Sequence, residues 1–167
     1  QGCVIATDVR VAPGCRILDV MDADGILTLV DEENVTEIYH LAALLSATGE
    51  RNPDLCWKIN VEGLENVITA AKTHGCRVFA PSSIAVFGPD CPSIAPQVTP
   101  LNPATVYGKT KVVGEQLAIT SDVDMRGLRY PGLISYKAPA GGGTTDYAVE
   151  IFHAALNEGH YTCFVRE

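Results

Sequence analysis

The architecture follows from one apolar run, Val78-Phe79-Ala80-Pro81-Ser82-Ser83-Ile84-Ala85-Val86-Phe87-Gly88, which carries two adjacent hydroxyls and stops at Pro89. A run of this kind predicts a buried parallel strand that ends in a loop. In open α/β sheets, ligands bind at the carboxyl ends of the strands, which is where Ser82 and Ser83 fall. A serine pair also serves as a helix cap or a turn, so the pair alone does not establish chemistry.

Strand and helix signals alternate along the rest of the chain. Short apolar runs predict strands at residues 3–7, 16–20, 35–43, 77–82 and 125–130. Helical spacing of apolar residues predicts helices over 22–33, over 53–74 and from Tyr107 onward, with Gly75 as the C-cap of the second. Pro92, Pro96, Pro100 and Pro103 mark 89–103 as a loop. The alternation predicts an α/β fold with a doubly wound parallel sheet.

Composition and charge narrow the classes of function. The 167 residues are enough for one domain with a core, and 47% hydrophobic residues suit a buried parallel sheet. The net charge of -8 argues against nucleic acid and anionic membrane as partners. No apolar run approaches the roughly 18 residues of a membrane span, and no signal peptide is visible. The dispersed cysteines predict reduced thiols in a cytoplasmic protein and neither a disulfide framework nor a metal site.

Tyr107 and Lys111 carry the strongest chemical signal. They stand four residues apart at the start of a predicted helix, so their side chains share one face. An ammonium beside a phenol favours its ionised form, and a tyrosine needs a pKa about 3 units below its usual value to act as a base near neutrality. The same spacing occurs on solvated helix surfaces, so the pair gains meaning only with other residues.

Ser83, Tyr107 and Lys111, in this order and spacing, resemble the catalytic set of the extended short-chain dehydrogenase/reductase family. The resemblance implies a Rossmann-like domain, NAD as cofactor and these three residues as the catalytic set. It also implies that Asp8 accepts hydrogen bonds from the adenosine ribose, which favours NAD over NADP because an acid repels a 2′-phosphate. The remaining cofactor contacts that it implies are Asp19, Val20, Leu41, Ala42, Ala43, Asn60, Tyr107, Lys111, Tyr130, Pro131 and Leu133.

Further segments resemble the L-threonine 3-dehydrogenase group of that family: residues 45–50 (LSATGE), 81–88 (PSSIAVFG), 129–135 (RYPGLIS) and 139–148 (PAGGGTTDYA). The glycine run before Thr144 offers backbone amides to an anion such as an amino-acid carboxylate, although by itself it is only a linker with an N-cap. The group implies oxidation of the C3 hydroxyl of L-threonine, the small-molecule substrate, to 2-amino-3-oxobutyrate. Its substrate contacts would be Ser46, Ser83, Tyr107, Gly143 and Thr144.

The resemblance also sets expectations for chain organisation. No GxGxxG or GxxGxxG turn occurs and the chain begins at Gln1, so we expect a preceding βα unit of roughly 30 residues. Residues 1–138 are expected to form the NAD-binding domain without that unit, and 139–167 the start of a smaller C-terminal substrate lobe. Between Glu115 and Tyr130 the chain is a few residues shorter than the family pattern. Pairing through the helices of Asn60 and Tyr107 implies a homodimer.

Two alternatives stay open. An enzyme of the same family that acts on nucleotide sugars uses the same serine, tyrosine and lysine. A non-catalytic NAD-binding module would keep the fold for partner recognition, although the intact set of Ser83, Tyr107 and Lys111 argues against it. His40 is expected to be a packed histidine rather than a catalyst.

Overall fold

Short parallel strands alternate with helices, as the sequence predicts. The computed structural model describes residues 3–135 and 145–163. In chain order the elements are β1 (Ala6–Asp8), β2 (Cys15–Ile17), α1 (Ala23–Glu32), β3 (Glu37–Tyr39), α2 (Ser46–Arg51), α3 (Pro53–Trp57), a π-helical turn (Lys58–Glu62), α4 (Gly63–His74), β4 (Arg77–Phe79), β5 (Ser82–Ser83), a 3-10 turn (Ile84–Val86), α5 (Val106–Thr120), β6 (Met125–Arg126), β7 (Arg129–Tyr130) and α6 (Tyr147–Asn157).

Local signals set the helix ends. The Asp22 carboxylate accepts a hydrogen bond of 2.9 Å from the amide of Gly25, which caps the start of α1. Gly75 ends α4 with a φ of 69°, in the left-handed region that favours glycine. The helix predicted over 53–74 is present, but the π-helical turn interrupts it, so that α3 and α4 are separate segments.

All strand pairs are parallel. β1 pairs with β2, β4 lies between β3 and β6, and β5 pairs with β7. The predicted strands over 77–82 and 125–130 are each split in two, and hydrogen bonds from Ala80 N to Arg126 O and from Ser82 N to Leu128 O join the two ladders in one register. Gly127 permits this close approach, since a Cβ there would clash with the Ala80 carbonyl oxygen. In residues 3–135 and 145–163, no ladder connects β1 and β2 to β3.

One apolar core holds the sheet against two helices. It is built from buried side chains of α1, α4 and the region of β4: Ile26, Val30, Val67, Ala70, Ala71, Cys76 and Val78. Burial of this apolar surface is the main source of stability, and it fixes the position of β4. Pro81, Ser82 and Ser83 follow β4, so the core also fixes their positions.

Three structural findings concern membrane helices, metal-binding groups and cysteines. No helix in the described ranges is long and apolar enough to cross a membrane. Within the same ranges, no three histidine, cysteine or carboxylate side chains are grouped as a metal ion would need. All six cysteines are described, and each is a free thiol. The predicted domain boundary at 138 lies outside the described residues.

Candidate active site

Helix α5 positions the predicted base. Thr105 starts the helix by accepting a hydrogen bond of 3.0 Å from the amide of Gly108. A second cap comes from α2, where the Glu50 carboxylate accepts a hydrogen bond of 2.6 Å from the amide of Val106. The two caps fix the first turn of α5, and Tyr107 lies in that turn.

Lys111 lies one turn further along α5 and points back toward the end of β4. Its Nζ donates a hydrogen bond of 2.8 Å to the Pro81 carbonyl oxygen and lies 5.6 Å from the centre of the Tyr107 ring. Burial lowers the pKa of the Lys111 ammonium, and the nearby Cys56 thiol partly opposes that shift. The lysine therefore holds a half-buried positive charge close to the phenol.

Ser83 completes the predicted set. Its hydroxyl lies near Tyr107 and accepts a hydrogen bond of 3.1 Å from the amide of Ala85. Burial raises the pKa of Tyr107, the nearby Ser83 hydroxyl lowers it, and Cys56 raises it. The net shift is upward, so the lowered pKa predicted from the Tyr107–Lys111 spacing is wrong for this structure. Desolvation of the phenolate outweighs the stabilisation that Ser83 gives.

A cleft of about 680 Å³ opens beside Lys111 at the carboxyl ends of the strands. Ala42 and Ala43, Ser82, Tyr130 and Pro131 all line it. His40 also lines it and is only 9% exposed. Burial, with the charge of Lys111, lowers the pKa of His40 to about 4, so the imidazole is neutral at neutral pH. This agrees with the prediction of a packed histidine.

Asn60 ties the cleft to the catalytic helix. Its Oδ1 accepts a hydrogen bond of 2.8 Å from the amide of Leu44, and its Nδ2 donates to Leu44 O at 3.1 Å. The same Nδ2 donates to Thr110 Oγ1 at 3.2 Å. Asn60 also lines the cleft, but these bonds occupy its amide within the protein. It thus holds the loop after β3 at a set distance from α5.

The residues predicted to bind the adenosine end lie on the other strand pair. Asp8 ends β1, and its carboxylate accepts hydrogen bonds from Arg10 N at 2.9 Å and Arg10 Nε at 3.2 Å. The Arg10 guanidinium lowers the pKa of Asp8, but its side chain is 84% exposed and an exposed pair of this kind is weak. Asp19 follows β2 and accepts a bond of 2.9 Å from the amide of Met21, with Val20 next in the chain.

The remaining predicted residues differ in their placement. Leu41 and Leu133 are exposed, and neither lines the cleft. Ser46 is the first residue of α2 and is half-buried. Gly143 and Thr144 lie outside the described residues. The structure thus brings together Ser83, Tyr107 and Lys111 and leaves part of the predicted substrate set untested.

The sequence reasoning missed a charged network beside this set. Arg129 binds both oxygens of Glu115, through Nε to Oε1 at 2.8 Å and through Nη2 to Oε2 at 2.7 Å. The Ser82 hydroxyl donates to the same Oε1 at 2.6 Å. The available signal was the position of Glu115, four residues after Lys111 on one helix face.

The donor set fits a dinucleotide. Ala42, Ala43 and Lys111 line the same cleft, in which a ribose hydroxyl can accept a hydrogen bond from the ammonium. The Asp8 carboxylate stands at the carboxyl end of a parallel strand and is accessible, as an acceptor for ribose hydroxyls must be.

The sequence and the fold of the chain are similar to those of known proteins. Residues 4–162 match the sequence model of the NAD dependent epimerase/dehydratase family. The chain is 47% identical, over 97% of its length, to an uncharacterized epimerase/dehydratase of Staphylococcus aureus (strain MRSA252), of which it covers 54%. Among solved structures, a monomeric L-threonine 3-dehydrogenase from a metagenome is 47% identical, with a TM-score of 0.90 over 97% of this chain and 56% of that one. The GalE-like L-threonine dehydrogenase from Cupriavidus necator is 46% identical, with a TM-score of 0.90 over 98% and 56%. The chain spans about half the length of these relatives, and it belongs to the NAD-dependent epimerase/dehydratase family.

Proposed function

We propose that the protein is an NAD-dependent dehydrogenase that oxidises the C3 hydroxyl of L-threonine to 2-amino-3-oxobutyrate. The observation that carries the proposal is the proximity of Ser83, Tyr107 and Lys111, of which Lys111 lines the cleft. Support for the substrate comes from the similarity to two L-threonine dehydrogenases over nearly the whole chain.

Tyr107 is the proposed general base. As a phenolate it takes the proton of the C3 hydroxyl while the C3–H bond breaks and the carbon–oxygen bond becomes a carbonyl. Bound NAD supplies the acceptor for the hydride from C3, together with a positive ring charge that favours the phenolate. The pKa of the phenol is raised in this structure, and the Lys111 ammonium, 5.6 Å from the ring centre, is the proposed cation that favours the phenolate during the reaction.

Ser83 orients the reacting oxygen. Its oxygen accepts from the Ala85 amide, and its single O–H, which lies beside Tyr107, is the proposed donor to the substrate oxygen. That donor would stabilise negative charge on the substrate oxygen while the proton moves to Tyr107. The 3-10 turn after Ser83 therefore fixes the direction in which the hydroxyl points.

Helix α2 is the proposed wall for the amino-acid head. It lies against the base, because a Cβ on Gly49 would be 3.8 Å from the Tyr107 Cβ. Ser46 begins this helix and is proposed, with Gly143 and Thr144, to bind the ammonium and carboxylate of the substrate. A substrate held there would present its C3 to Tyr107.

The proposed cofactor contacts form two groups, one at the adenosine end and one at the nicotinamide end. Asp8 would hold the adenosine ribose, Asp19 and Val20 would contact the adenine, and Leu41 would pack on the cofactor. Lys111 would hold the nicotinamide ribose beside Ala42 and Ala43, and Tyr130, Pro131 and Leu133 would flank the nicotinamide.

Turnover by the full-length protein tests the proposal. We expect NADH to form from NAD⁺ only when L-threonine is present. Turnover of UDP-glucose without oxidation of threonine would favour the nucleotide-sugar alternative. Binding of NAD without turnover of either compound would favour the non-catalytic module.

We further propose that the protein is a cytoplasmic homodimer. In each chain, residues 1–138 would form the NAD-binding domain and residues 139–167 the start of the substrate lobe. The six free thiols support a reducing compartment. A solution mass of twice the monomer by light scattering would support the dimer, whereas a monomer would match the description of the metagenome relative.

A further inference from the structure

Lys111 and Glu115 stand one turn apart on α5, a spacing at which a lysine and a glutamate attract each other. No ion pair between them forms in the described part of the chain. Lys111 Nζ instead donates to Pro81 O at 2.8 Å, and both Glu115 oxygens bind Arg129. The carboxylate nearest in sequence to the catalytic lysine is thus held by another cation.

We propose that Arg129 is a positioning residue for catalysis: by holding Glu115 in a bidentate pair, it keeps that carboxylate away from Lys111 and leaves the ammonium directed toward Tyr107. This inference rests on the proposed function for its kinetic readout, but its structural readout is independent of the substrate.

The Arg129–Glu115 ion pair is largely buried and has two short hydrogen bonds. The two side chains are only 17% and 21% exposed, and their two nitrogen–oxygen distances are 2.7 and 2.8 Å. The guanidinium is held in turn by Gln97 O at 3.2 Å and by the Phe87 ring, whose centre is 5.2 Å from Cζ. A planar fork matches a carboxylate in a way that a lysine ammonium cannot.

Among residues 3–135 and 145–163, no other charge near Lys111 competes in this way. The Glu50 carboxylate of α2 caps the amide of Val106, and burial raises the pKa of the Cys56 thiol on α3, which is neutral at neutral pH. His40, after β3, is neutral because its pKa is lowered to about 4. The charged residues of the π-helical turn and β6 (Lys58, Glu62 and Arg126) are exposed. Glu115 is therefore the carboxylate whose release would matter.

Loss of Arg129 leaves a half-buried carboxylate that needs a new partner. Lys111 is the nearest cation on the same helix face. Its side chain is long enough to span the one helical turn that separates it from Glu115. The ammonium then leaves Pro81 and the Tyr107 ring. With the positive charge gone, the phenolate is less favoured and the pKa of Tyr107 rises.

Arg129→Met in the full-length protein tests this. We expect kcat with L-threonine to fall at least about tenfold, as misplaced catalytic groups do, while KM changes little. The acid limb of the kcat profile should move to higher pH by about one unit. The double variant Arg129→Met/Glu115→Gln removes the competing charge. Its kcat and the acid limb of its pH profile should therefore return most of the way to those of the wild type.

The matched control is Arg77→Met, which breaks the exposed cross-strand pair between Arg77 and Glu37 and should leave kcat and its pH profile unchanged. Equal losses in the Arg129 single and double variants would overturn the proposal, because a purely structural role predicts no rescue. If Arg129→Met does not fold, Arg129→Lys takes its place with the same criteria, since one ammonium cannot bind both oxygens in parallel.

A crystal structure of the single variant separates this inference from the proposed activity. We expect Lys111 Nζ to leave Pro81 O and lie at ion-pair distance from Glu115. Retention of the Lys111–Pro81 hydrogen bond would overturn the inference, whether or not the protein oxidises threonine. Failure of the wild type to oxidise threonine would overturn the proposed function alone.

Discussion

Replacement of the buried histidine offers the sharpest test of the electrostatics of the cleft. His40 is 9% exposed, and its pKa falls from 6.5 to about 4, mainly because burial disfavours the charged ring and also because Lys111 is close. Below pH 6.5 the unfolded chain binds a proton at His40, whereas the folded chain does so only near pH 4. Stability should therefore fall as the pH is lowered through this window.

The size of the effect follows from the shift. A difference of about 2.5 units, at about 1.4 kcal/mol per unit, gives about 3 kcal/mol when the pH is below both values. Between pH 7 and pH 5 the free energy of unfolding should fall by about 2 kcal/mol because of His40. This is a large part of the stability of an ordinary domain.

Urea unfolding of the full-length protein at the two pH values measures this loss. We expect the wild type to lose about 2 kcal/mol more than His40→Gln between pH 7 and pH 5. Carboxylates with lowered pKa, such as Glu115, titrate in both proteins and cancel. His153→Gln, which changes an exposed histidine of α6, should behave as the wild type does. An equal loss in wild type and His40→Gln would refute the reasoning.

Three further predictions concern the catalytic and cofactor residues and the packing behind them. Tyr107→Phe should lower kcat with L-threonine at least about a hundredfold, with NAD affinity little changed by titration; a smaller loss would contradict its role as base. Asp8→Ser should narrow the preference for NAD over NADP, measured as the ratio of kcat/KM values, and an unchanged ratio would show that Asp8 does not face the ribose. Gly49→Ala places a Cβ 2.7 Å from the Cys56 sulfur and should lower the free energy of unfolding by about 1–3 kcal/mol. Gly49→Ala/Cys56→Ala should recover part of that loss, and equal losses would contradict the contact.

Features with local causes were predictable from the sequence. The helical stretch that begins at Pro53 carries its own periodicity, and Gly75 ends it through a backbone conformation that glycine favours. The meeting of Ser83 with Tyr107 and Lys111 was predictable because the ends of parallel strands gather ligands and because the residues resemble a known set.

Features that depend on contacts between distant segments were not predictable. The π-helical turn contains Asn60, whose amide bonds to Leu44 and Thr110, and no periodicity within one helix indicates those partners. The bond between Glu115 and Arg129 joins a helix to a strand, and the sequence shows only their charges. The predicted direction of the Tyr107 pKa shift was wrong because it depends on burial, which residue spacing does not reveal.

The π-helical turn at Lys58–Glu62 makes this part of the chain sensitive to length as well as to composition. A π turn closes five residues ahead where an α turn closes four, so loss of one residue there would let the segment become a continuous α-helix. Each residue of an α-helix turns the chain by about 100°, and α3 would then rotate by that angle relative to α4. Cys56 would no longer face Gly49, and the link between α2 and the core helix would be broken. Single-residue deletions should therefore be excluded from this turn during evolution, even where substitutions at its exposed positions are accepted.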